Sequence, residues 1–125
     1  MILNYGHTLA HALEGAGQSD HPDWDLRHGE AVAIGILFAA LLAERLGRID
    51  ANRVAEHRRV IGSFDLPTDL PAGAGAEELI AFMGRDKKAQ RDLTFVLDGP
   101  DGVEAVRGVA STDVVATLTA MGART

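Results

Sequence analysis

Three histidines in two nearby stretches of the sequence have a spacing that could bring them to one metal ion. His7 and His11 stand four residues apart, so in a helix their side chains lie on one face, one turn from each other. Glu14 follows on the same stripe, and His28 begins the next apolar run. Imidazole is the commonest transition-metal ligand, and converging imidazoles suit zinc. The pattern predicts part of a zinc site.

The spacing also fits ordinary histidines of a surface or a core, and that interpretation stays open. The zinc-protease signature needs a glutamate directly after the first histidine, to activate the metal-bound water. This sequence has Thr8 there, so a protease of that kind is not predicted. Gly29-Glu30 after the third histidine, at the head of a long apolar run, favours a site. His21, in a loop, and His57, in a charged helix, are interpreted as ordinary solvated histidines.

Composition excludes several classes of partner and site. The 125 residues suffice for one modest domain. Twelve Lys and Arg against 18 Asp and Glu give a net charge of −6. The sequence has no basic stripe of the kind that binds nucleic acid, so a nucleic-acid partner is not expected. The apolar run from Ala31 to Ala43 is shorter than the roughly 20 residues that cross a bilayer, and no secretory signal is visible, so we expect a cytoplasmic protein. Without cysteine, zinc must use nitrogen and oxygen ligands.

Periodicity and turn residues predict a mainly α-helical domain with one small β-hairpin. The second helix is apolar nearly all round, so other elements must cover it. Asp50 is expected to cap the third helix, and Ser111-Thr112-Asp113 to cap the last. A loop is expected over 15–26, held on the core by Trp24 and Leu26. The predicted helices are about 2–14, 28–46, 50–64, 76–83 and 111–121, and the predicted strands are 93–97 and 103–109.

Glycines and a charge run carry further expectations. Gly29 and Gly35 lower the helix propensity of the second helix, which makes sense where a neighbouring helix or a ligand approaches the backbone closely. Gly47 is expected to stop that helix. The charged run 85–91 is either a solvated face or a place where lysines could bind phosphate or carboxylate.

Three motifs occur in a fixed order along the chain. They are Leu3-Asn4-Tyr5-Gly6-His7-Thr8-x-x-His11-Ala12-x-Glu14, then His28-Gly29-Glu30-Ala31-Val32-Ala33-x-Gly35, then Asp86-Lys87-Lys88. Together they resemble the signature of the 3-dehydroquinate synthases, within the wider group of sugar-phosphate cyclases. The resemblance spans nearly the whole chain.

The resemblance implies a two-domain enzyme, with an NAD-binding Rossmann-like domain followed by a helical domain that carries the metal and most substrate contacts. Residues 1–125 resemble the C-terminal part of that helical domain, and the Rossmann-like domain is absent from them. By the same resemblance, His7 and His28 would be two ligands of Zn²⁺ or Co²⁺, and the third, a glutamate, would lie upstream of Met1. One ligand short of a catalytic zinc site, the chain by itself is not expected to catalyse.

Substrate contacts are also implied by the resemblance. His11 would contact the phosphate of the substrate and take part in proton transfer. Asn4 would hydrogen-bond the substrate. Lys87 or Lys88 would bind its acidic groups, and Lys87 is favoured.

The implied reaction is that of a carbon–oxygen lyase of the shikimate pathway, which leads to the aromatic amino acids. It closes 3-deoxy-arabino-heptulosonate 7-phosphate to 3-dehydroquinate with loss of phosphate. NAD, bound by the other domain, transiently oxidises an alcohol and so acidifies the adjacent C–H; after elimination NADH reduces the ketone, and an aldol step closes the ring. Zinc would act as a Lewis acid and an imidazole would move protons. The implied partners are a sugar phosphate and a second copy of the chain in a homodimer.

Two other interpretations stay open. Ala10 stands where the family commonly has glycine, and the loop between His11 and His28 is longer than expected. Both features suit a cyclase of secondary metabolism acting on another substrate, such as an amino-sugar or sedoheptulose phosphate. Alternatively, the chain is a non-catalytic helical domain that oligomerises through exposed apolar surface, with Glu14 or Glu30 completing an adventitious metal site.

Overall fold

A computed structural model of the chain describes residues 7–19, 27–71, 73–83, 93–100 and 102–123. Within them the fold is mainly α-helical with one antiparallel hairpin, as predicted. The predictions for Trp24, Leu26, His21 and the charged run 85–91 lie outside the described residues. The elements are α1 (His7–Ser19), α2 (His28–Arg45), α3 (Ala51–Ser63), α4 (Ala76–Met83), β1 (Leu93–Leu97), β2 (Glu104–Val109) and α5 (Ser111–Ala120).

Helix α2 is the centre of the fold. It packs against α1, α3, α5 and β1, while α4 packs on α1 and α5. This confirms the expectation that several elements cover an all-round apolar helix. Many of its buried residues are alanines, whose small side chains let neighbouring helices approach closely. The buried set is Ala31, Ala33, Ile34, Gly35, Leu37, Phe38, Ala39, Ala40, Leu42 and Ala43.

The glycines in α2 and just after it have different surroundings. Gly47 has φ +77°, and its N–H donates to the Glu44 carbonyl at 3.0 Å, so the predicted stop is confirmed. Gly35 is buried and shares a small crevice with Thr8 of α1. A Cβ on Gly29 would meet nothing within 4 Å in the described part of the chain. No described helix therefore approaches Gly29 closely, and the other possibility in that expectation, a ligand, stays a prediction.

Helix α1 is longer at its C-terminal end than predicted. It continues past Gly15 and Gly17 to Ser19, although glycine in a helix costs up to about 1 kcal/mol relative to alanine. Ala16, between these glycines, is fully buried, and α1 packs on both α2 and α4. Tertiary burial offsets the poor local propensity, so the prediction that the helix ends at Glu14 was wrong.

Two helix starts were predicted from cap residues, with opposite outcomes. The Asp50 carboxylate accepts a hydrogen bond from the Arg53 N–H at 3.0 Å, which confirms it as the cap of α3. In α5 the cap position is Ala110, without a side-chain hydrogen bond, and residues 111–113 form the first turn. Asp113 instead accepts a hydrogen bond from Arg45 Nε at 2.8 Å and so ties α5 to α2.

The hairpin contains a bulge and packs on α2 through an aromatic pair. Leu93 pairs with Val109 and Phe95 with Val106, so β2 has one residue more than β1 between these pairs. Gly108, within that segment, has φ +70°, a conformation that suits a bulge glycine. The ring of Phe95 lies 5.6 Å from that of Phe38, measured between centroids.

A buried carboxylate joins the end of β1 to α3. The Asp98 side chain is 5% exposed and accepts a hydrogen bond from Arg53 Nε at 2.7 Å. Its backbone carbonyl accepts from Arg48 Nε at 3.0 Å. Burial raises the pKa of Asp98, but the hydrogen bonds from Arg53 and the Gly99 N–H, with the positive charges of Arg53 and His57, outweigh it, so the net pKa lies below the ordinary value.

Candidate metal and substrate site

Helix α1 presents a polar stripe beside its buried face. Leu9, Ala10, Ala12, Leu13 and Ala16 are buried against the rest of the domain. His11 is exposed and Glu14, one turn further on, is half-buried. The helical spacing inferred from the sequence is therefore present, and the stripe is open to solvent at His11.

The first residue of α2 meets this stripe. Glu14 Oε2 lies 2.8 Å from His28 Nδ1. The two residues are 14 positions apart in sequence, and the packing of α1 on α2 brings them together. The His28 side chain is 67% exposed and that of Glu14 is 31% exposed, so the carboxylate holds the ring from the protein side and leaves most of the ring open.

Glu30 has a structural role at the same helix end. Its carboxylate accepts a hydrogen bond from the Arg27 backbone N–H at 2.8 Å. Glu30 is the third residue of α2, and a glutamate there commonly bonds back to the residue that precedes the helix. The Glu in His28-Gly29-Glu30 therefore stabilises the start of the helix that carries His28.

We expect Glu30→Ala to lower the free energy of unfolding by about 1 kcal/mol, since an N–H at the helix start loses its partner. Glu30→Gln, which can accept the same bond, should cost less than half as much. Urea denaturation of both variants measures the difference. Equal losses in the two variants, or no loss in either, would contradict the capping role.

The predicted site residues are only partly described. His7 is the first residue of α1, so it and His11 lie on one helix as predicted, but its side chain lies outside what the structure describes. Asn4, Lys87 and Lys88 also lie outside the described residues. The structure brings Glu14 and His28 together and places His11 one turn before Glu14.

The described donors fit part of a zinc site. A histidine whose Nδ1–H donates a hydrogen bond to a carboxylate has its Nε2 lone pair available for a metal ion. This is the usual arrangement at zinc. No group of three or more His, Asp or Glu side chains that could hold a metal is found in the part of the chain that the structure describes. Further ligands are therefore needed to complete the set.

Sequence reasoning missed the contact between Glu14 and His28. The signal was the position of Glu14 on the histidine stripe of α1, which indicated the face but not the partner. The partner depends on how far α2 is shifted along α1, and only the packing of the two helices sets that shift.

The fold is that of the helical region in solved sugar-phosphate cyclases. One is a 2-deoxy-scyllo-inosose synthase crystallised with carbaglucose-6-phosphate, NAD⁺ and Co²⁺. Its sequence is 24% identical to this chain, and the two structures superpose with a TM-score of 0.75. The alignment covers 94% of this chain and 34% of the synthase. Another is the 2-epi-5-epi-valiolone synthase of Streptomyces hygroscopicus with NAD⁺ and Zn²⁺ bound. Its sequence is 20% identical to this chain and the TM-score is 0.75, with 96% of this chain and 32% of the synthase aligned.

The chain belongs to the 3-dehydroquinate synthase C-terminal family, whose sequence profile matches residues 1–89. It is 50% identical over 117 residues to a protein of Amycolatopsis mediterranei named, provisionally, an aminodehydroquinate synthase. It is 48% identical over 99 residues to the 3-dehydroquinate synthase of Leifsonia xyli. These alignments cover 91% and 78% of this chain but 32% and 26% of the relatives, so the chain spans a third of their length or less.

Two expectations from the sequence concern apolar surface: whether a helix could span a membrane, and whether large apolar side chains are exposed. No helix among the described residues is long and apolar enough to cross a membrane. Within the same residues the large apolar side chains that are exposed are Val60 and Phe64, at and just beyond the end of α3.

Proposed function

We propose that this chain is the metal- and substrate-binding helical region of a cytoplasmic 3-dehydroquinate synthase. The enzyme would close 3-deoxy-arabino-heptulosonate 7-phosphate to 3-dehydroquinate with loss of phosphate, as a zinc- and NAD-dependent carbon–oxygen lyase. The dinucleotide would be bound by a separate domain. Membership of the family and the names of several relatives support this reaction class.

The observation that carries the proposal is the contact between the two motif segments. Glu14 closes the first motif, His28 opens the second, and their side chains meet at 2.8 Å. Consecutive helices commonly pack on each other, and here the two side chains that meet across the helices each belong to one of the motifs. The meeting point is also open to solvent, since the His28 side chain is 67% exposed, as a site that admits a substrate requires.

Each residue then has a role in the proposal. His28 and His7 would hold the metal through ring nitrogens. His11, exposed on the stripe of α1, would contact the phosphate and move a proton, because an imidazole changes its protonation state near neutral pH. Asn4 and the pair Lys87-Lys88 would bind the hydroxyl and acidic groups of the substrate.

The cofactors supply what these side chains cannot. A bound zinc ion supplies Lewis-acid polarisation of a substrate oxygen, and NAD supplies reversible hydride removal. The residues of this chain bind and orient the substrate and hold protons at imidazole nitrogens. Solved cyclases of the same fold, crystallised with NAD⁺ and Co²⁺ or Zn²⁺, support this division of work.

A second candidate is favoured by one specific observation. The Amycolatopsis mediterranei relative, which aligns with 91% of this chain at 50% identity, is named for aminodehydroquinate synthesis. The alternative is therefore a cyclase of secondary metabolism that acts on an amino analogue of the same sugar phosphate. Both candidates use the same metal-binding histidines, and they differ in the substrate that the complete enzyme turns over.

Zinc calorimetry on the chelator-treated 125-residue chain tests the proposed site. We expect one-to-one binding that weakens in His7→Ala and in His28→Ala by more than the roughly 10–100-fold that loss of an outer partner costs. His57→Ala, which removes a histidine from α3 far along the chain, is the matched control and should bind like the wild type. Zinc binding that ignores both site histidines would refute the proposal.

A further inference from the structure

The bond between Glu14 and His28 selects one tautomer of the imidazole. A neutral histidine carries one N–H and one acceptor nitrogen, and an ionised carboxylate can only accept. With Oε2 of Glu14 at 2.8 Å from Nδ1, the proton belongs on Nδ1. The lone pair is then on Nε2, at the opposite side of the ring.

The ring itself is held from one side. Glu14 lies on α1 and His28 at the start of α2, so the carboxylate fixes the ring relative to a helix other than its own. The side chain of Glu14 is about half as exposed as that of His28. The Nδ1 edge thus faces the carboxylate on α1, while most of the remaining ring surface is open to solvent.

We propose that Glu14 is a positioning residue for His28: it keeps Nε2 unprotonated and directs it outward, where a metal ion can bind. The proposal rests on the proposed function and deepens it. Carboxylates that accept the second N–H of a metal-bound histidine fix both tautomer and orientation, and they raise the basicity of the ligand. Glu14 would then act on the metal through His28 and would not itself be a ligand.

A purely structural role explains the pair less well. An ion pair or hydrogen bond this exposed contributes little to stability, and the contact between α1 and α2 already has buried apolar residues such as Leu9, Leu13 and Ile34. The nearest alternative carboxylate in the motif, that of Glu30, bonds to the Arg27 N–H. Among the described residues Glu14 is therefore the carboxylate that orients His28.

Two readouts on the 125-residue chain test the proposal. Long-range ¹⁵N–¹H NMR at about pH 8, where an ordinary imidazole is neutral, reports the tautomer of His28 without any metal. We expect the Nδ1–H form in the wild type and a shift towards the Nε2–H form in Glu14→Ala. Calorimetry should show zinc affinity about 10–100-fold lower in Glu14→Ala. Glu77→Ala, which removes an exposed carboxylate from the first turn of α4, controls for net charge and should leave both readouts unchanged.

The outcomes separate this inference from the proposed function. An Nε2–H tautomer in the wild type, or equal zinc affinity in wild type and Glu14→Ala, overturns the positioning role while zinc binding by His7 and His28 stands. The expected tautomer change, in a wild-type chain that binds no zinc, supports the action of Glu14 on His28 and overturns the expectation that the residues of this chain bind zinc by themselves. Circular dichroism of Glu14→Ala is the control for folding, and we expect the same helical signal as in the wild type.

Discussion

Replacing Phe38 by alanine should lower the free energy of unfolding by about 3–5 kcal/mol. Phe38 is 1% exposed and lies on α2, the helix that contacts α1, α3, α5 and β1. Its ring packs against that of Phe95 at 5.6 Å with 55° between the planes, a tilted arrangement that aromatic pairs favour. The substitution removes a buried ring and leaves a cavity between α2 and the hairpin.

Urea denaturation, followed by circular dichroism, measures this loss. Phe64→Ala is the matched control, because Phe64 is the same residue type at 70% exposure and its truncation should change stability by about 0.5 kcal/mol or less. Phe95→Ala with the double variant completes a cycle, in which we expect a coupling of about 0.5–1.5 kcal/mol. Similar losses in Phe38→Ala and Phe64→Ala would contradict the placement of Phe38 in the core.

Asp98→Asn should lower the free energy of unfolding by about 1–3 kcal/mol at neutral pH, because it removes the charge from a buried, charge-assisted hydrogen bond. The loss should depend on pH in a defined direction. The pKa of Asp98 is lowered in the folded chain, so its contribution to stability is complete above the unfolded pKa of about 3.9. It is lost as the pH falls through the lower folded pKa.

The stability difference between wild type and Asp98→Asn should therefore be constant from about pH 7 to 5 and shrink below about pH 4. Urea denaturation at a series of pH values measures it. Asp69→Asn, at an exposed aspartate, is the control and should stay within about 0.5 kcal/mol of the wild type at neutral pH. A difference that grows on acidification would mean that the carboxylate is not held by Arg53.

The elements with strong local signals were predicted from sequence to within a residue or two. Asp50 capped α3 as expected, and β1 and α4 begin and end where the apolar pattern placed them. The errors arose where tertiary packing overrides local preference. Helix α1 continues through Gly15 and Gly17 because Ala16 is buried. Helix α5 begins at Ser111 as predicted, but Ala110 occupies its cap position and Asp113 bonds to Arg45 of α2 instead.

For the site, the sequence indicated the residues but not their relations. The helical spacing of His11 and Glu14 on α1 followed from periodicity alone, and the structure agrees. The bond from Glu14 to His28 could not be predicted, because it depends on the offset between two helices packed through small apolar residues. The capping role of Glu30 was missed because Arg27, which precedes the helix, is not one of the usual cap residues.

The bulge in β2 has a consequence for self-association. In the described part of the chain the sheet has two strands, so each strand keeps one edge that no further strand covers there, and a regular edge of this kind is a template for another chain. Arg107 is exposed beside Gly108, whose positive φ breaks the regular pleat. A charged side chain next to a bulge is a common natural protection against edge-to-edge pairing. The same residues that shape the hairpin therefore also disfavour amyloid-like growth along β2.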